Sequence, residues 1–469
     1  MPLVILSVIY FATRLYNLTI LPIFTDEAIY IYWAKFIAQN HSNWFISLTD
    51  GKPPLLIWSI AFLLKLLPPS HYLLAGRLPA VFAGFFTLLG IYHLSFLLFS
   101  SRKLAIVASS LYILLPFTLL YDRMSLFDSL LTATSIWAIY FALKNRPLLW
   151  GLSLGLAFLS KPTAIIYWAL SPLLLWLYTK KPHIKNSLIA LTIGQLINNS
   201  LRISSVYFMM ATKNQQFQRP IIDIIKDPLG ITRNLHALFS WIAGYYTLPL
   251  LATGLLAFIF LFIKHRRTCF ILFSLWLIPI VAFAIAGSTI FPRYILFTTP
   301  YFLIATAYLI HKFPPLIIVV IFLLRFDLSL LTTPYLAPIP DTDYHQYISD
   351  HPAGYGLDKI FAFIDSHDKP ITIVTEGTFG VLPYALNLRY WDNPKITIVP
   401  RFPLSSLDQE IYDRAQTEPV YILLKDQEKI PNYLPLTPVI IATKPHGTTP
   451  FILAELSLPL PQTIVPTAP

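Results

Sequence analysis

The sequence predicts a mainly α, polytopic transmembrane helical bundle of about 11 spans, followed by a small extracytoplasmic α/β domain. Three observations lead to this fold class. Hydrophobic residues make up 56% of the chain and charged residues only 12%, about half the charged share of an ordinary soluble domain. Apolar runs recur as far as Leu331, with short basic clusters between many of them. Beyond that point proline, acidic and polar residues replace the long apolar runs, so a boundary near Pro334 divides a membrane domain, 1-332, from a terminal domain, 333-469.

The same composition excludes other classes. A formal charge of +11 would suggest nucleic acid as the partner of a soluble protein. Here the basic residues sit in turns between apolar segments, where they read as topology signals, and no nucleic-acid partner is expected. The single cysteine, Cys269, excludes an intramolecular disulfide and a cysteine-rich metal site.

Taken in order, Pro2 to Tyr16 reads as a retained first span, because it lacks a basic leader and a small-residue cleavage site. Leu55 to Leu67 is apolar but shorter than the roughly 20 residues of a span, which suits an interfacial helix. Ala75 to Phe99, Leu104 to Leu120 and Ser129 to Leu143 follow as spans. Leu148 to Leu159 and Thr163 to Tyr178 form two more, joined by a tight turn at Ser160-Lys161-Pro162. Ser187 to about Met210 crosses next, and a polar stretch leads to Trp241. The remaining spans are Tyr246 to Ile263, Cys269 to Ala286, Tyr294 to Ile310 and Pro315 to Leu331.

If the first span runs outward, simple alternation puts Arg102/Lys103, Lys144/Arg146, Lys180/Lys181/Lys185, Lys264/Arg266/Arg267 and Lys312 on the cytoplasmic side. It then puts every loop of mixed charge on the outer side. In the tail, strands are expected at Ile371 to Gly377, Lys395 to Pro400, Pro419 to Leu424 and Pro438 to Thr443. Helical patterns at Leu357 to Ser366, Val381 to Tyr390 and Leu407 to Ala415 alternate with them.

The chemistry concentrates in the outer loops. Asp26 and Glu27 are adjacent carboxylates beside a span, and charge near hydrocarbon is costly unless it is paired, hydrated or used. Helix capping by Thr25 or Asp26 accounts for one carboxylate more readily than for two. Lys52 stands before Pro53-Pro54, which holds the backbone extended and presents the ammonium in a defined direction. A snorkelling interfacial lysine is the plainer alternative. Asp128 ends Ser125-Leu126-Phe127-Asp128, a near match to a capping box, so it reads equally as cap or site. Arg123, in the same loop, has no capping explanation. Lys161, also before proline, and Arg293 with Tyr294 repeat the pattern of one cation at an outer helix mouth. Several cations facing a few acids suit an anion site that includes a base. Asp341-Thr342-Asp343, Gly377-Thr378-Phe379-Gly380 and the sequon-like Asn17-Leu18-Thr19 and Asn40-His41-Ser42 are too weak to assign a metal, dinucleotide or glycan site.

Together, Asp26-Glu27, the Gly51-Lys52-Pro53-Pro54-Leu55 turn with Trp58, Arg77-Leu78-Pro79, Arg123 with Asp128, the small-residue run Gly151 to Leu159 ending in Lys161, and Arg293-Tyr294 resemble the polytopic GT-C glycosyltransferases of family 39, related to protein O-mannosyltransferases and the aminoarabinose transferase of lipid A. The resemblance covers approximately Arg14 to Pro300 and not the tail. It implies a GT-C fold and a multi-pass enzyme, in the plasma membrane of a prokaryote, with an extracytoplasmic site. It implies a polyprenyl-phosphate sugar as donor and a glycan, lipid or protein as acceptor, within the surrounding membrane lipids. By the same resemblance Asp26 is the catalytic base, Glu27 is taken as a catalytic residue beside it, and Lys52 meets the lipid phosphate. Arg123, Lys161 and Arg293 are implied as phosphate or sugar contacts, and Asp128 and Tyr294 are taken with them as substrate-binding residues. No metal site or other cofactor is required, although a divalent cation is left open.

Two other classes fit a polytopic basic chain, a lipid-linked sugar flippase or other transporter and a non-catalytic membrane scaffold. Transporters usually carry ionisable residues near the midplane on interrupted helices of repeated halves, whereas here charge collects at outer helix ends and no repeat is evident.

Overall fold

The computed structural model describes residues 2–40, 43–404 and 407–457. His41 and Ser42 of the second sequon-like motif and the proline-rich last residues lie outside them. Contacts divide the chain into two units. One comprises Met1–Ile20, Trp33–Leu66 and Leu74–Pro340, the other Leu21–Tyr32, Leu67–Leu73 and Asp341–Pro469.

The first unit is helical. Among the described residues five helices are long and apolar enough to cross a membrane, or up to six if the bent pair Leu229–Tyr246 and Leu248–Lys264 is one span. Shorter apolar helices, Pro2–Leu15, Leu55–Leu66, Phe127–Leu143 and Pro147–Ser160, join them. Leu148, Leu248 and Ile263 leave most of their apolar surface exposed, as an integral membrane protein requires and a water-soluble one avoids.

Several boundaries differ from expectation. The span expected from Ser187 to Met210 stops as a helix at Asn199, where Asn198, Asn199 and Ser200 succeed one another, and gives way to a 3₁₀ turn, Ser200–Ile203, and a separate short helix, Phe208–Gln215. The stretch before Trp241, expected as polar loop, is helical from Leu229 to Tyr246. Its apolar residues recur at Leu238, Trp241, Ile242 and Tyr245, a helical spacing that buries one face. The spans expected to begin at Tyr294 and Pro315 each open with a 3₁₀ turn, Pro292–Thr298 and Pro314–Val320. Proline in the first positions supplies a fixed φ and lacks only an amide that would be unpaired there.

Glycines bring two of the helices into close contact. A Cβ at Gly151 would stand 2.7 Å from the Ala190 carbonyl oxygen, and one at Gly155 2.4 Å from Ile197 Cδ1. The small residues spaced by four let the Pro147–Ser160 and Ile184–Asn199 helices approach along their backbones. Gly155→Val is expected to destabilise the chain by about 1–3 kcal/mol, the usual cost of overpacking. A thermal unfolding midpoint unchanged from wild type in detergent would refute it.

A buried ionic network ties the first helix to the bundle. Asp122 accepts hydrogen bonds from Tyr112 (3.1 Å), Ser129 (3.0 Å) and Tyr10 (3.2 Å), and lies 3.7 Å from Arg14 Nε. Arg14 also donates to the carbonyls of Ile113 (2.6 Å) and Tyr112 (3.2 Å). A buried charge is tolerable when paired and hydrogen-bonded in this way.

The second unit holds one five-stranded sheet of order β2-β1-β3-β5-β4. Its strands are β1 Ile371–Glu376, β2 Ile396–Arg401, β3 Val420–Leu424, β4 Leu436–Ala442 and β5 Phe451–Leu456. β1 pairs in parallel with β2 and β3, while β5 runs antiparallel to β3 and β4. The helices Val381–Arg389 and Gln409–Ala415 make the crossovers. The sequence predicts the first four strands; β5 is an addition, its Phe-Ile-Leu-Ala core lying between proline-flanked segments. Val374, Ile422, Leu424, Ile452 and Ile411 form the core of one sheet face.

Candidate active site

In the helical unit, the first turn of the Phe127–Leu143 helix carries Asp128, which is 2% exposed. The N-cap is Leu126, without a side-chain cap bond, so Asp128 is not employed as a cap. Its Oδ1 accepts a 2.6 Å hydrogen bond from Lys161 Nζ, and its Oδ2 stands 4.0 Å from Arg293 Nε. Lys161 takes the extended conformation (φ −159°, ψ 140°) that proline imposes on the residue before it. That geometry ends the Pro147–Ser160 helix and projects the ammonium onto Asp128. The Lys161 ammonium also lies over the Tyr294 ring, 3.9 Å from its centroid. Arg293 lies over Phe291 (4.7 Å) and Tyr294 (5.7 Å).

Four of the expected residues, Asp128, Lys161, Arg293 and Tyr294, therefore meet. Burial lowers the basicity of Lys161, Asp128 opposes the shift, and the charges of Arg293 and Lys52 add to it. One carboxylate faces two cations in contact, with Lys52 close enough to be felt. The surplus positive charge suits an anion.

Lys52 follows Gly51, whose left-handed φ of 72° closes the preceding 3₁₀ turn. Its ammonium lies 4.8 Å from the centre of the Phe217 ring, while Lys213 pairs with Asp50 at 3.9 Å. Phe217 and Lys213 carry no signal in the sequence, where they fall in an unremarkable polar stretch far along the chain from Lys52. Arg123 is placed differently from the other cations. Its guanidinium donates to the carbonyls of Thr13 (3.0 Å) and Asn17 (2.7 Å), so it fastens the end of the first helix.

In the second unit, Asp26 and Glu27 occupy the first turn of the Thr25–Gln39 helix. The Ala28 amide donates to the Phe24 carbonyl (2.9 Å), which opens the helix before Thr25. The Thr25 hydroxyl donates outward to the Pro352 carbonyl at 3.2 Å. Both acids stand at the N-terminal, positive end of the helix dipole. They differ in access. Glu27 is fully buried and Asp26 is partly exposed, so of the two Asp26 is the one with surface open to a substrate.

A groove of about 870 Å³ opens on the helical unit, lined mainly by apolar side chains that include Leu55, Trp58, Leu130, Thr134, Ser153 and Leu156. These residues lie on the helices that start after Lys52-Pro53-Pro54, start at Phe127 and end before Lys161. Among the described residues no cluster of three or more His, Cys, Asp or Glu side chains could hold a metal ion.

Residues 51–197 match the family model described as dolichyl-phosphate-mannose-protein mannosyltransferase. Comparison with curated proteins finds no match. Among solved structures the chain is similar to ArnT from Cupriavidus metallidurans bound to undecaprenyl phosphate, with a TM-score of 0.63, 13% identity and 97% of each chain covered. The apo structure of the same protein gives a TM-score of 0.59 over the same shares, also at 13% identity. At that identity the structural likeness speaks for the fold.

Proposed function

We propose, for a chain that belongs to the GT-C class of polytopic glycosyltransferases, that it transfers a sugar from a polyprenyl-phosphate donor to an acceptor hydroxyl. The reaction takes place on the extracytoplasmic side of a prokaryotic plasma membrane. One observation carries the reading of the donor: the helices whose ends bear Lys52, Asp128 and Lys161 are the helices that wall the apolar groove. A polyprenyl phosphate needs that combination, a hydrocarbon trough on the helices that adjoin a cationic site. The undecaprenyl phosphate bound to ArnT supports the same donor class.

Asp26 takes the proton of the acceptor hydroxyl as its oxygen attacks the anomeric carbon. The bond from that carbon to the phosphate oxygen breaks, and its electron pair leaves with the polyprenyl phosphate. Lys52, Lys161 and Arg293 stabilise the charge that develops there. Asp128 holds the last two in place, Tyr294 backs them, and Arg123 secures the neighbouring helix. A single displacement of this kind inverts the anomeric centre. Glu27, buried beside the base, shapes its surroundings without meeting the acceptor.

The test is transfer from labelled polyprenyl-phosphate hexoses and pentoses into membrane lipid, glycan and protein fractions. Incorporation by wild type and none by Asp26→Asn is expected, and the labelled fraction names the acceptor class. No incorporation from any donor by folded wild type would overturn the reading. The groove adds a second expectation. Thr134→Trp should raise KM roughly tenfold or more for a long-chain donor, since steric loss in an apolar pocket is worth at least one methylene. A two-isoprene donor, too short to fill the trough, should be used as before; equal effects on both would exclude the groove as the lipid seat.

A further inference from the structure

We propose that the C-terminal α/β unit positions the catalytic base, by fixing the first turn of the helix that carries Asp26 through contacts before, at and after that turn. The inference rests on the reading of Asp26 as base. By its contacts, Leu21–Tyr32 belongs with the α/β unit, although most of the helical unit lies between it and Asp341 in the chain.

The attachments differ in kind. Ahead of the turn, Phe24 packs edge-on against Tyr347 with ring centres 4.8 Å apart. Beside it, Gly354 approaches the Ile23 carbonyl so closely that a Cβ would stand 2.0 Å from its oxygen. At the turn, the Pro352 carbonyl accepts both the Thr25 amide (3.0 Å) and the Thr25 hydroxyl (3.2 Å). Beyond it, Tyr32 stacks on Tyr384 at 4.1 Å with their planes within 16°. Tyr384 belongs to the helix that leaves β1 through Gly380, and Gly380 (φ 116°) brings that loop within 3.4 Å of Thr25 Cγ2, measured from a built Cβ.

The residues that hold Thr25 are themselves held. In the connection between β4 and β5, Lys444 Nζ donates to the Asp350 carbonyl at 3.0 Å. Gly447 lies so near Ser349 that a Cβ would stand 2.2 Å from its carbonyl oxygen. The sheet therefore grips the Ser349–Pro352 turn, and that turn grips the start of the helix. A carboxylate acting as base must hold its place to a fraction of an ångström, because a displacement of about 1 Å can cost roughly a hundredfold in rate. The helix amide and hydroxyl that bond Pro352 belong to the residue immediately before Asp26.

Two measurements on the full chain test this. Hydrogen exchange should show faster exchange of the amides of residues 25–28 in Tyr384→Ala and in Gly354→Ala, with the amides of residues 128–135 unchanged; Tyr384→Phe, which keeps the stack, should exchange as wild type does. Unchanged protection at 25–28 in both variants would overturn the proposal. In the transfer assay with labelled undecaprenyl-phosphate sugars, Tyr384→Ala should lower kcat about 10- to 100-fold with donor KM within about threefold, and Tyr384→Phe should recover it. Adding Tyr384→Ala to Asp26→Asn should slow the enzyme no further, because both act through one group. A full further loss in the double variant would overturn positioning through Asp26. If Asp26→Asn itself turned over normally, the base assignment would fail and this inference with it. An inactive Asp26→Asn beside a normal Tyr384→Ala would sink the positioning role alone.

Discussion

Asp26→Asn is expected to lower turnover by about two to four orders of magnitude, the range that a positioned general base contributes. Asparagine keeps the volume of the side chain, and the first turn of the Thr25–Gln39 helix is held by the Phe24 carbonyl and the Pro352 carbonyl, neither of which the substitution touches. Folding and donor affinity should therefore survive. The partial exposure of Asp26 against the full burial of Glu27 predicts that the two are not equivalent. Glu27→Gln should shift the thermal midpoint as well as the rate, while Asp26→Asn moves the rate alone. Equal loss of stability in both would mean that the pair is structural, and normal turnover of Asp26→Asn would remove it from the chemistry.

Asp128→Ala is expected to be the most destabilising of the site substitutions, at about 3–5 kcal/mol, the cost of stripping one partner from a buried ion pair. It leaves Lys161 and Arg293 buried together with no carboxylate between them, where Lys161 is now held at 2.6 Å and Arg293 at 4.0 Å. Lys161→Met should cost somewhat less, since Arg293 still faces Asp128. The double variant should be more stable than the sum of the two, with a coupling on the order of 1–3 kcal/mol. Shifts in the thermal unfolding midpoint of the four proteins would measure it. Additive losses would show that the Lys161–Asp128 contact contributes no stability and that Lys161 is held by other means. Either single substitution should also weaken donor use, since each disturbs the two cations proposed to face the leaving phosphate.

Asp128 shows where the sequence was ambiguous. Its place after Ser125 fitted a helix cap as well as a site, and only the partner, Lys161, decides between them. That partner stands at the end of a different helix, beyond the reach of any local pattern. Lys161 and Arg293 each stood out as cations beside proline, because proline marks a rigid helix mouth whatever surrounds it. Arg123, a loop cation without a neighbouring proline, was expected to contact the substrate as they were, yet it binds two carbonyls of the first helical segment; nothing local separates a cation aimed at a ligand from one aimed at backbone. Asp122, fully buried among Tyr10, Tyr112, Ser129 and Arg14, carries no local signal of that role, since its partners come from separate segments. The helix Leu229–Tyr246 was hidden because Arg233, Asn234 and His236 interrupt its apolar residues along the chain, although the spacing of Leu238, Trp241, Ile242 and Tyr245 carried the signal.

Composition and apolar run length by themselves determined that this is a polytopic membrane protein with a small α/β tail, because hydrocarbon selects for residue type irrespective of neighbours. The pairing of acids and lysines with proline turns likewise singled out a few loops as candidates for the chemistry. Tertiary structure decided which of those charges face each other, which of two adjacent carboxylates is accessible, and that the loop bearing them belongs with the domain at the far end of the chain. Such contacts depend on how helices of similar sequence pack, and packing is set by shape at distances in the chain over which no local pattern extends.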